Sequence, residues 1–356
     1  MGVLLGVLFH FIGGFASGSF YLSFKGVKKW AWESYWIIGG LFSWLFVPPL
    51  AAVLTIPGFA DIIRGAEAST FWWTYFMGVM WGIGGLTYGL GIRYLGMSLG
   101  NSVILGYCAA FGALIPSVYY HYYPHEGKVT IHQLFYSEGG RMVLLGVIVC
   151  LIGIFICGRA GMMKEKDLPQ EEKKKSVAEF DLIKGLIVAT VSGILSACFN
   201  FGIEAGKPMA EAAVKSGFSP LFQNNVTYVV LLWGGLTTNI IWCLILNIRN
   251  KTWHDYTNAT TPLATNYFFS ALAGTLWFLQ FFFYGMGESK LGNGASSWIL
   301  HMAFIIFVSN MWGIALHEWK DVSKKTLLTI TTGITTIIIS VLLVGYGNSL
   351  PATIRQ

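Results

Sequence analysis

GVMWGIGGLTYGLGIRYLG at residues 78–96 is matched in register by GTLWFLQFFFYGMGESKLG at residues 274–292. Both stretches fit the pattern G-x2-W-x6-Y-G-x-G-x3-L-G without a gap. Each copy ends one apolar run and leads into the next. Membrane proteins built from two related halves are typically secondary transporters, which hold their substrate between the repeats. The repeated pattern therefore predicts two related halves with a binding site between them.

The composition indicates a membrane protein. Hydrophobic residues make up 54% of the 356 residues and charged residues only 11%, whereas a soluble domain carries about 25% charged residues. A chain with so few charges cannot cover a water-facing surface of its own size. We therefore predict a polytopic protein whose main surroundings are the lipid bilayer.

Motifs for soluble catalysis and for metal binding are absent from the sequence. It contains no P-loop, no G-x-S-x-G, no H-E-x-x-H and no cysteine–histidine cluster. We predict neither an enzyme activity nor a cofactor. The cysteines all fall within apolar runs, without spacings typical of disulfides or metal sites; they are Cys108, Cys150, Cys157, Cys198 and Cys243.

Ten apolar runs reach the roughly 20 residues that a helix needs to cross a bilayer. We therefore predict an all-α fold of ten transmembrane helices. Short turns at 93–97 and 287–297 make matching hairpins in the two halves. The predicted spans are 3–24, 36–55, 71–92, 98–120, 142–158, 185–203, 226–246, 267–286, 298–316 and 327–347.

A charged stretch from Arg159 to Lys184 divides the spans into two sets of five. We assign residues 1–160 to a first five-helix repeat, 161–184 to a cytoplasmic linker and 185–356 to a second repeat. Because five is an odd number, the second repeat must be inverted relative to the first. Fainter matches agree with this division: Gly14, Ser17, Phe20 and Lys28 correspond to Gly193, Ser196, Phe199 and Lys207, and Gly39-Gly40-Leu41 corresponds to Gly234-Gly235-Leu236.

Basic residues predict the orientation of the chain. Sixteen of the 23 lysines and arginines lie in the odd-numbered loops and the linker. Such loops are cytoplasmic under the positive-inside rule, which leaves both termini outside. This bias accounts for the net charge of +6, so no nucleic-acid partner is expected.

Several motifs, taken in order along the chain, resemble those of the bacterial L-rhamnose–proton symporter family of the drug/metabolite transporter superfamily. The resemblance extends from the first predicted span to the ninth. The motifs are KGVKKWAWE at 25–33, MWGIG at 80–84 with Tyr88-Gly89, RYLGMS at 93–98, EGGRM at 138–142, KPM at 207–209, QFFFY at 280–284 and SWILHM at 297–302.

This resemblance implies ten helices in two repeats and proton-driven uptake of L-rhamnose or a related deoxy sugar across the bacterial inner membrane. The implied partners are a small sugar and the proton. The chain departs from the family pattern around 101–137 and 287–296, where the choice of sugar could differ.

Polar and aromatic residues share helix faces in four of the predicted spans. A sugar needs hydrogen-bond partners for its hydroxyls and an aromatic plane for its C–H face, and a buried site supplies both from a few placed groups. The alternative interpretation is ordinary helix packing, with tryptophan and tyrosine in the interfacial belt. The predicted sugar-binding residues are Ser17, Tyr21, Trp81, Tyr88, Asn200, Trp277, Gln280, Tyr284 and Trp298.

His301 is the first candidate for proton coupling, followed by Glu204 and His10. An ionisable residue within the membrane is a functional candidate by default, and histidine titrates near physiological pH. His301 is predicted one turn inside the ninth span, and Leu105 takes the matching position of the first half. The alternative is a neutral histidine bonded to a neighbouring group.

Two other functions remain open from the sequence. An exporter or a carrier of another small metabolite would use the same fold. A membrane-embedded transferase would need a constellation of carboxylates or histidines near one interface, and the sequence shows none. Growth and uptake on candidate sugars would separate these possibilities.

Overall fold

The computed structural model describes residues 2–95, 97–124, 128–167, 182–315, 319 and 322–350, and within them the chain is helical without a β-strand. The predicted all-α class is confirmed. The helices are α1 Gly2–Phe24, α2 Trp32–Gly40, α3 Val47–Thr55, α4 Phe59–Gly65, α5 Ala68–Leu95, α6 Met97–Tyr122, α7 Ile131–Tyr136, α8 Glu138–Asp167, α9 Leu182–Ala205, α10 Lys207–Lys215, α11 Asn224–Asn250, α12 Leu263–Leu291, α13 Gly294–Ala315 and α14 Lys324–Ser349.

Nine helical segments in the described part of the chain are long and apolar enough to cross a bilayer. The protein is therefore a multi-pass membrane protein. The segment α5 is 28 residues long but is not among the nine. It carries several tryptophans, tyrosines and glycines, which rank low on hydropathy scales although they are common in membrane helices.

The helix bounds differ from the predicted spans mainly at loops. The predicted turn at 287–297 is shorter in the structure, because α12 continues to Leu291 and α13 begins at Gly294. The charged linker is shorter as well, since α8 extends to Asp167 and α9 begins at Leu182. The remainder of the predicted linker, residues 168–181, lies outside the described residues.

The second spanning segment is interrupted at its centre. Its first part, α2, passes through a π-helical turn at Leu41–Phe46 into α3. Pro48 and Pro49 follow directly, and proline offers no N–H for the regular ladder of helical hydrogen bonds. The wider turn carries Trp44, which is only 3% exposed in the middle of the bundle.

Several helices of the first half of the chain pack against helices of the second half. Helix α1 packs along α12 and α13, and in the same way α9 packs along α5 and α6. Likewise α2 contacts α12 while α11 contacts α5. Three further contacts, α2 with α11, α6 with α13, and α8 with α14, each join one element of the first half to its counterpart in the second.

Matching glycines allow the closest of these helix crossings. A Cβ on Gly274 would lie 2.0 Å from the carbonyl oxygen of Gly39, and a Cβ on Gly234 would lie 2.1 Å from the carbonyl oxygen of Tyr75, one turn before Gly78. Only a residue without a Cβ permits such backbone approach, as in other small-residue contacts of membrane helices. The glycines of both repeated motifs thus set the distance between the halves.

The bundle has two ends. At the linker end, α8 ends and α9 begins. At the chamber end, named after a polar cavity lined by Lys128, Glu204, Lys207 and Glu288, α1 and α13 begin and α6, α9 and α12 end. Helix α10, which follows α9 at the chamber end, is short and amphipathic, with Met209, Ala210 and Ala213 buried.

Candidate functional site

Three tryptophans meet at the centre of the bundle. The ring centroids of Trp81 and Trp277 lie 5.4 Å apart, and Trp44 stands edge-on to both at 6.1 and 5.8 Å. Phe199 packs against Trp81 at 5.2 Å. Since Trp81 and Trp277 occupy matching positions of the repeated motif, the two halves contribute equivalent rings to one aromatic centre.

On the chamber side of this centre, Tyr284 is fully buried and hydrogen-bonded. Its Oη donates to Asn200 Oδ1 at 3.2 Å, and Asn200 Nδ2 donates to the carbonyl oxygen of Gly112 at 2.7 Å. Pro116 explains why that carbonyl is available. Proline has no N–H to give to the residue four positions earlier, so the oxygen of Gly112 is left for Asn200.

On the linker side, the matching residues are less buried than Asn200 and Tyr284. Tyr21 and Tyr88 take the positions of Asn200 and Tyr284 in the first half, and they lie close enough to interact electrostatically. Tyr21 is 58% exposed. A Cβ on Gly85 or on Gly89 would meet no atom within 4 Å, so this face of α5 borders open space. The groups around the tryptophan centre are therefore less tightly packed on the linker side than on the chamber side.

Two histidines lie beside Tyr284. The ring centroids of His10 and His301 are 6.3 Å apart, and each lies 5.3 Å from the ring of Tyr284. Both are fully buried, and neither nitrogen of either ring has a hydrogen-bond partner. Buried polar atoms are nearly always satisfied by protein or water, so the histidine pair is an unusual place where an added proton or a water molecule would find nitrogen acceptors.

Beyond the histidines is a polar chamber of about 190 Å³ at the chamber end. Glu204 accepts hydrogen bonds from Lys128 Nζ and, at 2.5 Å, from Tyr120 Oη. Glu288 is paired with Lys207 at 3.5 Å and accepts from Asn224 Nδ2 at 2.5 Å. The two ion pairs join α12 to α10 and α9 to the segment after α6, and so close this end of the bundle.

Comparison with known proteins identifies the family. Residues 1–350 match the family described as L-rhamnose-proton symport protein. The chain belongs to this family. It is 38% identical over 352 residues to the L-rhamnose-proton symporter of Yersinia pestis, and 37% identical over 350 residues to that of Citrobacter koseri; both alignments cover 97% of this chain and 98% of the relative.

One solved structure, described only as the crystal structure of a protein, supports the fold. It aligns with a TM-score of 0.50 over 95% of this chain and 96% of its own, at 11% identity. At that identity the likeness concerns the fold alone. Members of the L-rhamnose–proton symporter family are transporters, so this chain is not an enzyme, in agreement with the sequence analysis.

The remaining predicted residues of this symporter-family chain make contacts within the packed bundle. Gln280 Nε2 donates to the carbonyl oxygen of Trp277 on its own helix at 2.8 Å. Trp298 Nε1 donates to the carbonyl oxygen of Cys108 at 2.9 Å, and the ring stands edge-on to Tyr284. Ser17 is buried in α1. His301 lies two turns inside α13, deeper than predicted, because the helix begins at Gly294.

Some residues of the site were missed by the sequence analysis. Trp44 lies outside the repeated motif and reaches the centre through the π-helical turn. Lys128 was not singled out and Lys207 was noted only for its motif and its correspondence to Lys28, yet each lysine pairs with a carboxylate in the chamber. Glu288 was not singled out either, and its position near the end of an apolar span is a signal for a functional role.

Metal coordination has no support among the residues that the structure describes. No group of three histidine, cysteine, aspartate or glutamate side chains there could hold an ion. The carboxylates at the linker end accept hydrogen bonds from side-chain hydroxyls and amides, and Asp255 also lies 3.6 Å from the ring of His254. Glu33 accepts hydrogen bonds from Asn250 and Thr252, both at 2.9 Å, and Asp255 accepts from Ser34 at 2.7 Å.

Proposed function

We propose that this protein takes up L-rhamnose, or a closely related deoxy sugar, together with a proton across the bacterial inner membrane. The observation that carries the proposal is the match of residues 1–350 to the L-rhamnose-proton symport family, with relatives so named at 38% identity over nearly the whole chain. The central aromatic and polar groups supply the chemistry that a sugar site needs.

The architecture we propose is ten spans in two inverted five-helix repeats, residues 1–160 and 185–356, joined by a cytoplasmic linker at 161–184. Helix α5 would be the tenth span. Its 28 residues pack along α9 and α11, as its counterpart α12 packs along α1 and α2. This exchange of partners is what two related halves in inverted orientation would produce.

The sugar, in this proposal, binds between the two halves at the tryptophan centre. Its apolar C–H face would lie on Trp81 or Trp277, whose rings come from matching positions of the halves. Its hydroxyls would bond to Tyr21 and Tyr88 on the open side and to Asn200 and Tyr284 on the closed side. Ser17, Gln280 and Trp298 would shape and support the site from the surrounding helices.

Alternating access would exchange which end of the cavity is open. The described arrangement fits a state open to the cytoplasm, since Tyr21 is exposed while its counterpart Asn200 is buried and bonded. In the outward-open state the ion pairs of the chamber would separate and the linker end would pack. Inverted repeats provide this exchange because each half can adopt the other's conformation.

The proposed proton site is the histidine pair of His301 and His10, with Glu204 in the chamber as a further participant. Four unpartnered ring nitrogens lie between the chamber and the tryptophan centre. A proton arriving there would shift the population between the two access states if its affinity differs between them. Leu105 takes the matching place in the first half, so only one titratable site would serve one sugar site.

Uptake experiments test the sugar assignment. Vesicles carrying the protein are expected to accumulate radiolabelled L-rhamnose when the outside is acidified, by about tenfold for a gradient of one pH unit and one proton. Collapse of the gradient should abolish accumulation while exchange continues. Accumulation of a different sugar only would correct the substrate, and failure with every such sugar would favour a metabolite exporter or carrier of the same fold.

Reporter fusions test the orientation. The bias of basic residues predicts that a reporter active only in the cytoplasm works when fused after Lys175 and is silent when fused at the C-terminus. The reverse pattern would place the ion-pair chamber on the cytoplasmic side, and the open cavity would then face outward.

A further inference from the structure

Glu288 differs from the other buried carboxylates of the described residues. At the linker end, Glu33 and Asp255 accept hydrogen bonds from neutral groups. At the chamber end, Glu288 is held by a lysine, although only 6% of its side chain is exposed. A buried carboxylate is tolerable when paired, and removal of its partner is costly. Its charge therefore depends on whether Lys207 is present.

The ion pair interrupts the symmetry of the repeats. Lys207 corresponds to Lys28, which is exposed at the linker end, and Glu288 corresponds to Ile92. A pair that served only to close one end of a symmetric carrier would be expected at both ends. Because the Lys207–Glu288 pair has no counterpart in the first half of the sequence, we infer that it acts in only one of the two access states. Proton coupling requires such a difference between the states.

Glu288 also adjoins the histidine pair. The ring of His10 packs against the backbone of Gly287, where a Cβ would lie 2.7 Å from His10 Nε2. Gly287 directly precedes Glu288, and the side chain of Glu288 lines the chamber. The carboxylate therefore borders a polar space that can hold water, and the residue before it contacts His10, whose ring nitrogens are unpartnered.

We propose that Glu288 is the group that receives the transported proton from the outside, and that Lys207 displaces this proton when the chamber closes. This rests on the proposed proton–sugar symport. In the outward-open state Lys207 has moved away, and the hydrated Glu288 carboxylate takes one proton from external water. On closure Lys207, which stays cationic, pairs with the carboxylate, and the proton passes to His10 and His301 and leaves through the open linker end.

Other charged and titratable groups face Glu288 and set its surroundings. Glu211 lines the same chamber but forms no ion pair or side-chain hydrogen bond in the described structure. From the helices and loops packed around Glu288, these groups are Lys207, Glu211, Glu204, Lys128, Tyr120, Tyr228, Tyr284 and His10.

Proteoliposomes carrying Glu288→Gln test the proposal, with Glu67→Gln as the control, since Glu67 is exposed just before α5 and accepts a hydrogen bond from Ser69. The glutamine keeps the shape and the bond from Asn224 but cannot exchange a proton. Accumulation of L-rhamnose driven by a gradient of one pH unit should fall about tenfold, to the equilibrium level. Rhamnose exchange across the membrane should persist and lose its dependence on external pH. The control should accumulate rhamnose as the unmodified protein does.

Lys207→Gln gives a second, independent reading. Without the lysine the proton is not displaced, so net uptake should fall while exchange continues. Accumulation by Glu288→Gln at the level of the unmodified protein would overturn the proposal. So would loss of exchange in both Glu288→Gln and Glu288→Asp, because the carboxylate would then serve folding or sugar binding. If the unmodified protein moves no protons with rhamnose, the proposed function itself fails, which is a distinct result.

Discussion

His301→Gln is expected to abolish the proton-driven accumulation of L-rhamnose and to leave rhamnose exchange in place. Glutamine approximates the size and hydrogen-bonding capacity of histidine but does not take up a proton near neutral pH. His301 is fully buried with both nitrogens unpartnered, and the other histidine beside it is His10. Under a gradient of one pH unit, the ratio of sugar inside to sugar outside should be about tenfold lower in the variant than in the unmodified protein.

The control for this variant is His254→Gln, since His254 is exposed at the linker end, where its ring contacts the carbonyl oxygen of Lys251 and lies 3.6 Å from the carboxylate of Asp255. It should accumulate rhamnose normally. The measurement is the steady-state ratio of labelled sugar inside and outside vesicles across external pH. An unchanged ratio and pH profile in His301→Gln would make His301 a packing residue and leave His10 and Glu288 to carry the coupling.

Asn200→Ala is expected to lower the free energy of unfolding by about 1–3 kcal/mol. The substitution leaves the carbonyl oxygen of Gly112 and the hydroxyl of Tyr284 without their hydrogen-bond partner. Pro116→Ala should partly compensate. Alanine supplies the N–H that proline lacks, so the freed carbonyl regains a partner within α6. The stabilisation from Pro116→Ala should therefore be larger in the Asn200→Ala background than in the unmodified protein.

The measurement is a double-mutant cycle on thermal unfolding in detergent. Groups that share a partner typically couple by about 0.5–3 kcal/mol. The cycle cancels the general gain in helix propensity from removing proline. Strict additivity of the two substitutions would show that Pro116 does not prepare the carbonyl of Gly112 for Asn200.

The repeated motif predicted that its two copies lie close together. Trp81 and Trp277 meet at the centre, as equivalent positions of two paired halves should, and the motif glycines lie at the crossings. The hydropathy pattern predicted the helical class and the approximate positions of the long helices, because the bilayer fixes both the length and the character of a spanning helix.

The pairing of side chains could not be predicted in the same way. A helical face shows which residues point together, but not which of them find partners on another helix. Gln280 shares the face of Trp277, yet its amide is used within α12. Glu204 is a candidate for proton coupling like the histidines, but its carboxylate bonds to Lys128, which approaches from a loop 76 residues away in sequence.

Trp44 and Glu288 show two further limits of the sequence. Trp44 reaches the centre only because a π-helical turn before two prolines changes the helical register, and periodicity arguments assume a regular helix. The proposed role of Glu288 depends on Lys207, which the sequence singled out only by its motif and its correspondence to Lys28. A lysine that follows a span directly and a glutamate inside an apolar helix were each visible, but their pairing required the fold.

Rhamnose-induced proton movement tests the central claim most directly. Lightly buffered, de-energised proteoliposomes carrying the unmodified protein receive L-rhamnose outside, and external pH and labelled sugar uptake are recorded together. The account predicts that the external medium becomes alkaline as rhamnose enters, with protons and sugar moving in a fixed ratio, and that both signals vanish in His301→Gln and in Glu288→Gln. Rhamnose influx with no change in external pH would contradict it.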